Sequence, residues 1–403
     1  MEHHLPHNRK DVIILFYIGI DIAKFSHVFV VMNSSGKIVV PATSFTNDRV
    51  GFNSFIDVVK PYINSEHLVG LESIGHYGEN LSNFLLDLDC NVTLINPLIT
   101  NAEAKKKIRK TKTDKLDALA ICRLLKNDEF DLLTKPDIDL NEAKQLTRYY
   151  FTLSKQLTQQ KNRLQKCIDH VFPEYNKLFK TKYSRAYLAI LQDFGSAFNV
   201  ANAKITSLRK AISFSGGGRT VSVDLDLIKE TAKSSVGCHS LTVVMEIQHL
   251  IQQINLVESQ LSQAYKKIED LAILSQSPIF SIPGIGYLTG MSILSEIGNV
   301  RKFESACKLV AFAGVDPGVY QSGEYNANKT NISKRGSPFL RKSLYLAALP
   351  AARFNPTLHD YYNLKRSQGK SHRCAQGHPV RKLCRIIFKL LSDNLAFDQT
   401  CLS

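Results

Sequence analysis

No two of the eight cysteines (Cys90, Cys122, Cys167, Cys238, Cys307, Cys374, Cys384 and Cys401) stand in a CxxC pair. Scattered in this way they read as reduced, mostly buried thiols of a cytosolic protein, not as the disulfide framework of a secreted one. His372, Cys374 and His378 lie close together, but their spacing fits no zinc pattern. Long apolar runs are also missing. The longest near the N-terminus, Val12 to Ile20, is too short for a membrane span and ends at Asp21. Asp11 precedes it and no small-residue cleavage site follows, which excludes a signal peptide. The expectation is a soluble, cytoplasmic protein with no membrane partner. Acidic residues are short as well: 36 Asp and Glu face 51 Lys and Arg, a net charge of +15. That imbalance favours a nucleic acid or another acidic surface as partner.

The 403 residues are 44% hydrophobic, ample for buried cores and consistent with two or three domains. Met1 to Lys10 is a polar, His-rich, flexible tail. Val12 to Ile22 reads as a buried strand, Phe25 to Met32 as a second, and Asn33 to Gly36 as the hairpin turn into a third over Lys37 to Val40, extending to Phe45. Thr46 and Asn47 are candidate caps for a helix that runs to about Val59 and is stopped by Pro61. A strand at His67 to Glu72, a helix at Gly78 to Leu88 and a strand at Asn91 to Asn96 follow. Three meandering strands, then alternating helices and strands, is the order of an RNase H-like α/β domain.

From about Leu140 the pattern turns helical. Leu146, Tyr150, Leu153, Leu157, Leu164 and Ile168 in one stretch, and Val244, Ile247, Leu250, Ile251, Ile254, Val257 and Leu261 in another, predict an antiparallel helical or coiled-coil arm. Gly216-Gly217-Gly218 marks a loop between them. Ser281 to Gly286 opens a last, mainly helical domain with apolar helices at Tyr287 to Ile297, Phe303 to Phe312, Pro338 to Ala352 and Pro379 to Leu391. Ile282-Pro283-Gly284-Ile285-Gly286 is either a helix-hairpin-helix-like element, with Gly284 and Gly286 letting the backbone approach a phosphate, or a plain interhelical turn. Lys329, Lys334, Arg335 and Arg341 make the following loop and helix start cationic.

Two stretches suggest chemistry. Asp114 and Asp117 share one face of a helix's first turn, behind a basic run of Lys105, Lys106, Lys107, Arg109, Lys110, Lys112 and Lys115. Alone, the pair is an acidic turn complementing the helix dipole. Asp21 and Glu72, however, sit in apolar strands, where a lone carboxylate is costly unless compensated. On neighbouring strands beneath that helix, the four carboxylates would converge on a hard divalent ion such as Mg²⁺. The second stretch is Val319-Tyr320-Gln321-Ser322-Gly323, whose serine is eligible to attack phosphorus, as Ser333 and Ser337 are by composition.

These residues resemble a known family. Tyr17 to Lys24, Gly70-Leu71-Glu72-Ser73 with Gly75 and Tyr77, and Lys112 to Ala118 are similar to the DEDD transposases of the IS-one-ten insertion-sequence family, as are Ile282 to Gly286, Ala311 to Pro317, Gln321-Ser322-Gly323 and Ile332 to Gly336 with Leu340-Arg341. The resemblance implies a flexible tail over 1–10, a RuvC-like metal-binding domain over 11–135, a helical coiled-coil arm over 136–275 and a transposase domain over 276–403. It implies two Mg²⁺ ions, replaceable by Mn²⁺, on Asp21, Glu72, Asp114 and Asp117, and a catalytic serine at Ser322. It further implies DNA partners (element ends and target), a structured guide RNA, homodimers pairing into tetramers, and a nucleoid-associated location. Ser337 departs from the pattern, standing where the family usually has Asn or Asp. A junction nuclease using water, with Ser322 structural, and a non-catalytic nucleic-acid-binding protein are the alternative readings.

Overall fold

The computed structural model describes residues 16–72, 77–95, 97, 99–100, 113–128, 130, 132–133, 135–215, 223–318, 321–322, 325–326, 331–334 and 336–398. The 1–10 tail and the Gly216-Gly217-Gly218 loop lie outside these. The chain divides into two compact units, Met1–Asn141 and Glu142–Ser403.

The first unit is built on a five-stranded mixed sheet of order β3-β2-β1-β4-β5. Its strands are β1 (Phe16–Asp21), β2 (Ser26–Asn33), β3 (Ile38–Thr46), β4 (His67–Glu72) and β5 (Val92–Ile95). The first three run antiparallel as a meander, and β4 and β5 add parallel to β1. Central strands covered on both faces must be apolar throughout, which is why β1 and β4 read as continuous hydrophobic runs. On one face, Ile18, Ile20, Phe29, Val31, Val69 and Leu71 pack with α1 (Arg49–Ile63) and α2 (Glu79–Asp87). Phe29 and Phe45 meet Phe55 there at ring separations of 4.8 and 4.7 Å. The other face receives α3 (Asp114–Asn127), whose Ile121, Leu124 and Leu125 pack on Leu68 and Ile95.

Two details of α1 correct the sequence expectation. Its cap is Asp48, which accepts from Gly51 N at 2.8 Å, rather than Thr46 or Asn47. Pro61 does not stop it: the helix continues to Ile63, because a proline in the final turn forfeits one hydrogen bond near an end that is already poor in them.

Helix α4 (Lys135–Val171) starts in the first unit and carries the chain into the second. There it runs antiparallel to α9 (Leu241–Ser275), through Tyr150 against Tyr265, Lys161 bonded to Glu258 at 2.8 Å and Arg163 to Glu246 at 3.0 Å. Between them, where the sequence offered only a loop, four short α-helices lie among the described residues: α5 (Arg185–Asp193), α6 (Ala197–Asn202), α7 (Ile205–Ser215) and α8 (Leu225–Lys233). They share one core with Leu164, Ile168, Ile247, Leu250 and Ile254, centred on the fully buried Tyr175 and Tyr187. The Tyr175 hydroxyl donates to the Tyr187 carbonyl at 2.8 Å, satisfying the one polar group such burial would otherwise strand.

The C-terminal part is helical: α10 (Tyr287–Ile297), α11 (Ala306–Ala313), α12 (Pro338–Phe354), α13 (Pro356–Ser367) and α14 (His372–Asp393), with short strands β6 (Gln321–Ser322) and β7 (Tyr325–Asn326). Glu296 of α10, 3% exposed, is held by the Arg148 fork of α4 at 2.6 and 3.0 Å, the paired form that a buried carboxylate requires. Helix α14 begins at His372, not Pro379, because Ser371 caps it by accepting from Cys374 N.

Candidate active site

Asp21 and Glu72 are the last residues of β1 and β4. The two strands pair in register from Phe16 with His67 to Ile20 with Leu71, so the next step sets Asp21 beside Glu72 at the carboxyl end of the sheet. Parallel partners in register project to the same face. That face is identified by the glycines two residues earlier. A Cβ on Gly19 would meet the Ala118 carbonyl at 2.3 Å and Cys122 N at 2.7 Å, and one on Gly70 would meet Leu125 at 2.9 Å and Ile121 at 3.0 Å. Both carboxylates therefore share the face on which α3 lies.

The glycines let α3 sit almost on the sheet backbone. Cys122 fixes it there: Gly19 N donates to Cys122 Sγ at 3.1 Å, and that thiol donates to Val30 O at 3.2 Å. Burial pushes the Cys122 thiol up to about 12, so it is a structural S–H and not a nucleophile. Along α3, Cys122 lies by Tyr17 and Gly19 while Ala118 lies by Gly19, so moving toward the helix N-terminus moves toward the strand end that carries Asp21. Asp117 and Asp114 occupy that first turn, half-buried and exposed respectively, behind the Thr113 cap. All four carboxylates thus belong to one end of one face. Among the described residues, however, no three His, Cys, Asp or Glu side chains close into a ready metal cluster.

The donor set is all oxygen, which suits a hard divalent cation that keeps waters and takes substrate phosphate into its shell, in place of a full protein cage. Glu72 is already oriented, since the Thr100 hydroxyl reaches its Oε1 at 2.6 Å. Behind Asp21, the fully buried His27 accepts from Ala23 N at 3.3 Å and so pins the turn that leaves the strand. Burial holds its imidazole below the usual range, which keeps Nδ1 an acceptor. Sequence reading missed Thr100 and His27. Glycine inside apolar strands is the sequence signal from which the α3 approach could have been read.

Ser322 lies in β6, paired with Tyr325 of β7. Nearby, Pro317 and Ile332 form an isolated bridge, and Gly318 N donates to Asn331 O at 2.8 Å. Ser333 and Ser337 have structural partners: Ser333 donates to Asp316 Oδ1, and Ser337 caps α12 by accepting from Phe339 N and Leu340 N.

Of the expected nucleic-acid contacts, Lys105, Lys106, Lys107, Arg109, Lys112, Lys329 and Arg335 lie outside the described residues. Lys115 and Lys334 are exposed, while Arg341 is half-buried and donates to the Ala313 carbonyl at 3.3 Å. Gly284 has φ +92°, and a Cβ on it would meet Ala351 N at 2.6 Å. Close packing on α12 therefore accounts for this glycine without a phosphate. Gly286 faces open space at the start of α10.

A DEDD transposase family model, described as "Transposase", matches residues 18–173, and the model of the transposase IS116/IS110/IS902 family matches residues 276–363. The pilin gene-inverting protein of Moraxella bovis is 25% identical over 390 residues, covering 95% of this chain and 98% of that one. The insertion element IS110 uncharacterised 43.6 kDa protein of Streptomyces coelicolor is 21% identical over 392 residues, covering 95% of each. The transposase for insertion sequence element IS1111A of Coxiella burnetii is 41% identical over 64 residues, 16% of this chain and 17% of that one.

Proposed function

Because the chain belongs to the IS116/IS110/IS902 family of insertion-sequence transposases, we propose that it recombines DNA with a metal-binding carboxylate set and a serine nucleophile. Family membership carries the coarse activity, DNA recombination. The observation that supports the finer reading is the setting of Asp21 beside Glu72 at the carboxyl end of β1 and β4, on the face of α3.

In this reading the first unit is an RNase H-like domain, as its 3-2-1-4-5 strand order with an antiparallel meander supports. Asp21, Glu72, Asp114 and Asp117 hold two Mg²⁺ ions, or Mn²⁺ in their place. Bound there, the ions supply Lewis-acid neutralisation of charge on the phosphoryl oxygens. Thr100 orients Glu72, and His27 fixes the turn after Asp21. Ser322 supplies the attacking oxygen: its O–P bond forms as the phosphodiester P–O bond breaks, its proton passes to solvent or a base, and the departing strand takes the electron pair as a 3′- or 5′-oxygen. Exchange of one phosphodiester for another conserves bond energy, so no nucleotide cofactor is needed. Lys115, Lys334 and the basic residues of 105–112 supply charge for binding the DNA backbone, with binding weakened steeply by salt.

The proposal extends to the long helices acting as a coiled-coil arm, to homodimers that pair into tetramers, and to a structured guide RNA as second partner, supported by the +15 charge. Among the described residues no helix is long and apolar enough to cross a membrane; the proposed site of action, cytoplasmic and nucleoid-associated, follows from DNA as the substrate.

Trapping tests the serine. Wild-type protein incubated with element-end DNA and Mg²⁺ is expected to yield a covalent protein–DNA adduct, and Ser322→Ala to yield none while still binding DNA. Undiminished strand exchange by Ser322→Ala would exclude the serine mechanism in favour of attack by water. Sequencing RNA that co-purifies with the protein tests the guide: a discrete transcript encoded beside the gene is expected, and random cellular RNA would contradict it.

A further inference from the structure

Helices α13 and α14 form a cationic hairpin of which α14 and the last turn of α13 lie beyond the stretch matched by the C-terminal family model. Its centre is the half-buried pair Tyr361 and His378, ring centroids 6.0 Å apart. Lys365 Nζ stands 5.3 Å and Lys382 Nζ 5.7 Å from the Tyr361 ring centre. The Arg381 guanidinium donates to His378 Nδ1 at 3.0 Å. Lys370 comes near enough, with Lys365 and Arg381, to act on the same imidazole, which burial and these cations together hold down at about 4.

Four cations, three from the two helices and Lys370 from the turn between them, thus meet around one aromatic pair. Among the described residues no carboxylate forms an ion pair with any of them, although Lys365 Nζ also donates to Gln368 Oε1 at 3.1 Å. Some exposed cations elsewhere do have a carboxylate partner. Lys389, two turns further along α14, is bonded to Asp393 at 2.6 Å, and Lys308 lies 3.6 Å from Glu304. Gathering like charge without a counter-ion is unfavourable in the isolated protein and becomes favourable when a polyanion arrives. Tyrosine faces and an arginine fork beside the lysines add cation–π and bidentate geometry, which suit a phosphodiester better than a diffuse acidic surface.

We propose that the locus formed by Tyr361, Lys365, Lys370, His378, Arg381 and Lys382 docks the phosphate backbone of duplex DNA. The choice of DNA as occupant rests on the transposase reading, while the site itself rests on the converging charges. Contacts of this type carry no base information; they fix where the duplex lies on the C-terminal helices.

The test is the salt dependence of DNA binding by the full chain, measured by fluorescence anisotropy on a labelled duplex in EDTA, so that no cleavage intervenes. Each phosphate contact adds about 0.9 to the slope of log K against log salt. Arg381→Ala with Lys382→Ala is expected to lower the slope by about 2, and Lys365→Gln, on the other helix, by about 1. Lys389→Ala, a paired cation on the same helix, is expected to leave it unchanged, and equal melting temperatures across the set would exclude misfolding. Unchanged slopes in both site variants would overturn the proposal. So would an equal fall in Lys389→Ala, or a fall seen with single-stranded RNA and not with the duplex. A wild-type protein that binds no duplex at all would overturn the transposase reading itself, and this proposal with it.

Discussion

His27 is fully buried behind the strand end that carries Asp21, with Nδ1 taking the Ala23 N–H and Nε2 left without a hydrogen-bond partner. It tolerates that position only while neutral. His378, in its cationic surroundings, is likewise held neutral, with a pKa lowered to about 4. The sign of the consequence follows from linkage. Below 6.5 the unfolded chain binds protons that these folded-state imidazoles refuse, so their stability contribution is complete above 6.5 and is lost as pH falls, for His378 down to about 4. Urea unfolding across that window is expected to show stability declining toward acid, with a shallower decline in His378→Gln. An identical pH profile in the variant would contradict it. His27 did not stand out in the sequence, and His378 did so only beside His372 and Cys374, in a spacing that fits no zinc pattern. Asp21 and Glu72 did stand out, because a carboxylate closing an apolar strand is costly without a purpose.

At the level of elements, the pattern of strands was legible because burial on both faces imposes continuous apolar runs, and β4 is bounded as the sequence reading had it. Helices were harder where local chemistry and tertiary packing disagree. Pro61 and Pro379 were read as a stop and a start, yet both lie inside helices. The four short helices between α4 and α9 are too brief to show periodicity, and they exist because their apolar residues close over Tyr175 and Tyr187. The seating of α3 is the element-level feature that matters most for the site. Gly19→Ala would drive a Cβ into α3 backbone atoms, whereas Gly70→Ala would meet the ends of the flexible Leu125 and Ile121 side chains. Gly19→Ala is therefore expected to cost about 3 kcal/mol of stability and Gly70→Ala about 1 kcal/mol, by denaturant unfolding. Equal costs would mean that α3 is not held against β1 as described.

Across the whole molecule, two compact units share one chain with a large excess of positive charge. The motifs that carry the family resemblance fall in both units. What composition could not foretell is where charge is gathered without carboxylates, as on the α13–α14 hairpin, because that depends on which helices meet. Nor could it reveal that the DEDD carboxylates approach one end of one sheet face without closing into a cage among the described residues. That open arrangement suits a site completed by ions and substrate phosphate, and metal binding is where the proposed function is most exposed to refutation. Isothermal titration of Mn²⁺ into the full chain bound to duplex DNA, comparing wild type with Asp21→Asn and Glu72→Gln, addresses it directly. Mn²⁺ affinity reduced about tenfold or more in each variant, with melting temperature unchanged, is the expected result. Equal affinity in all three proteins would place the metal elsewhere and contradict the carboxylate site.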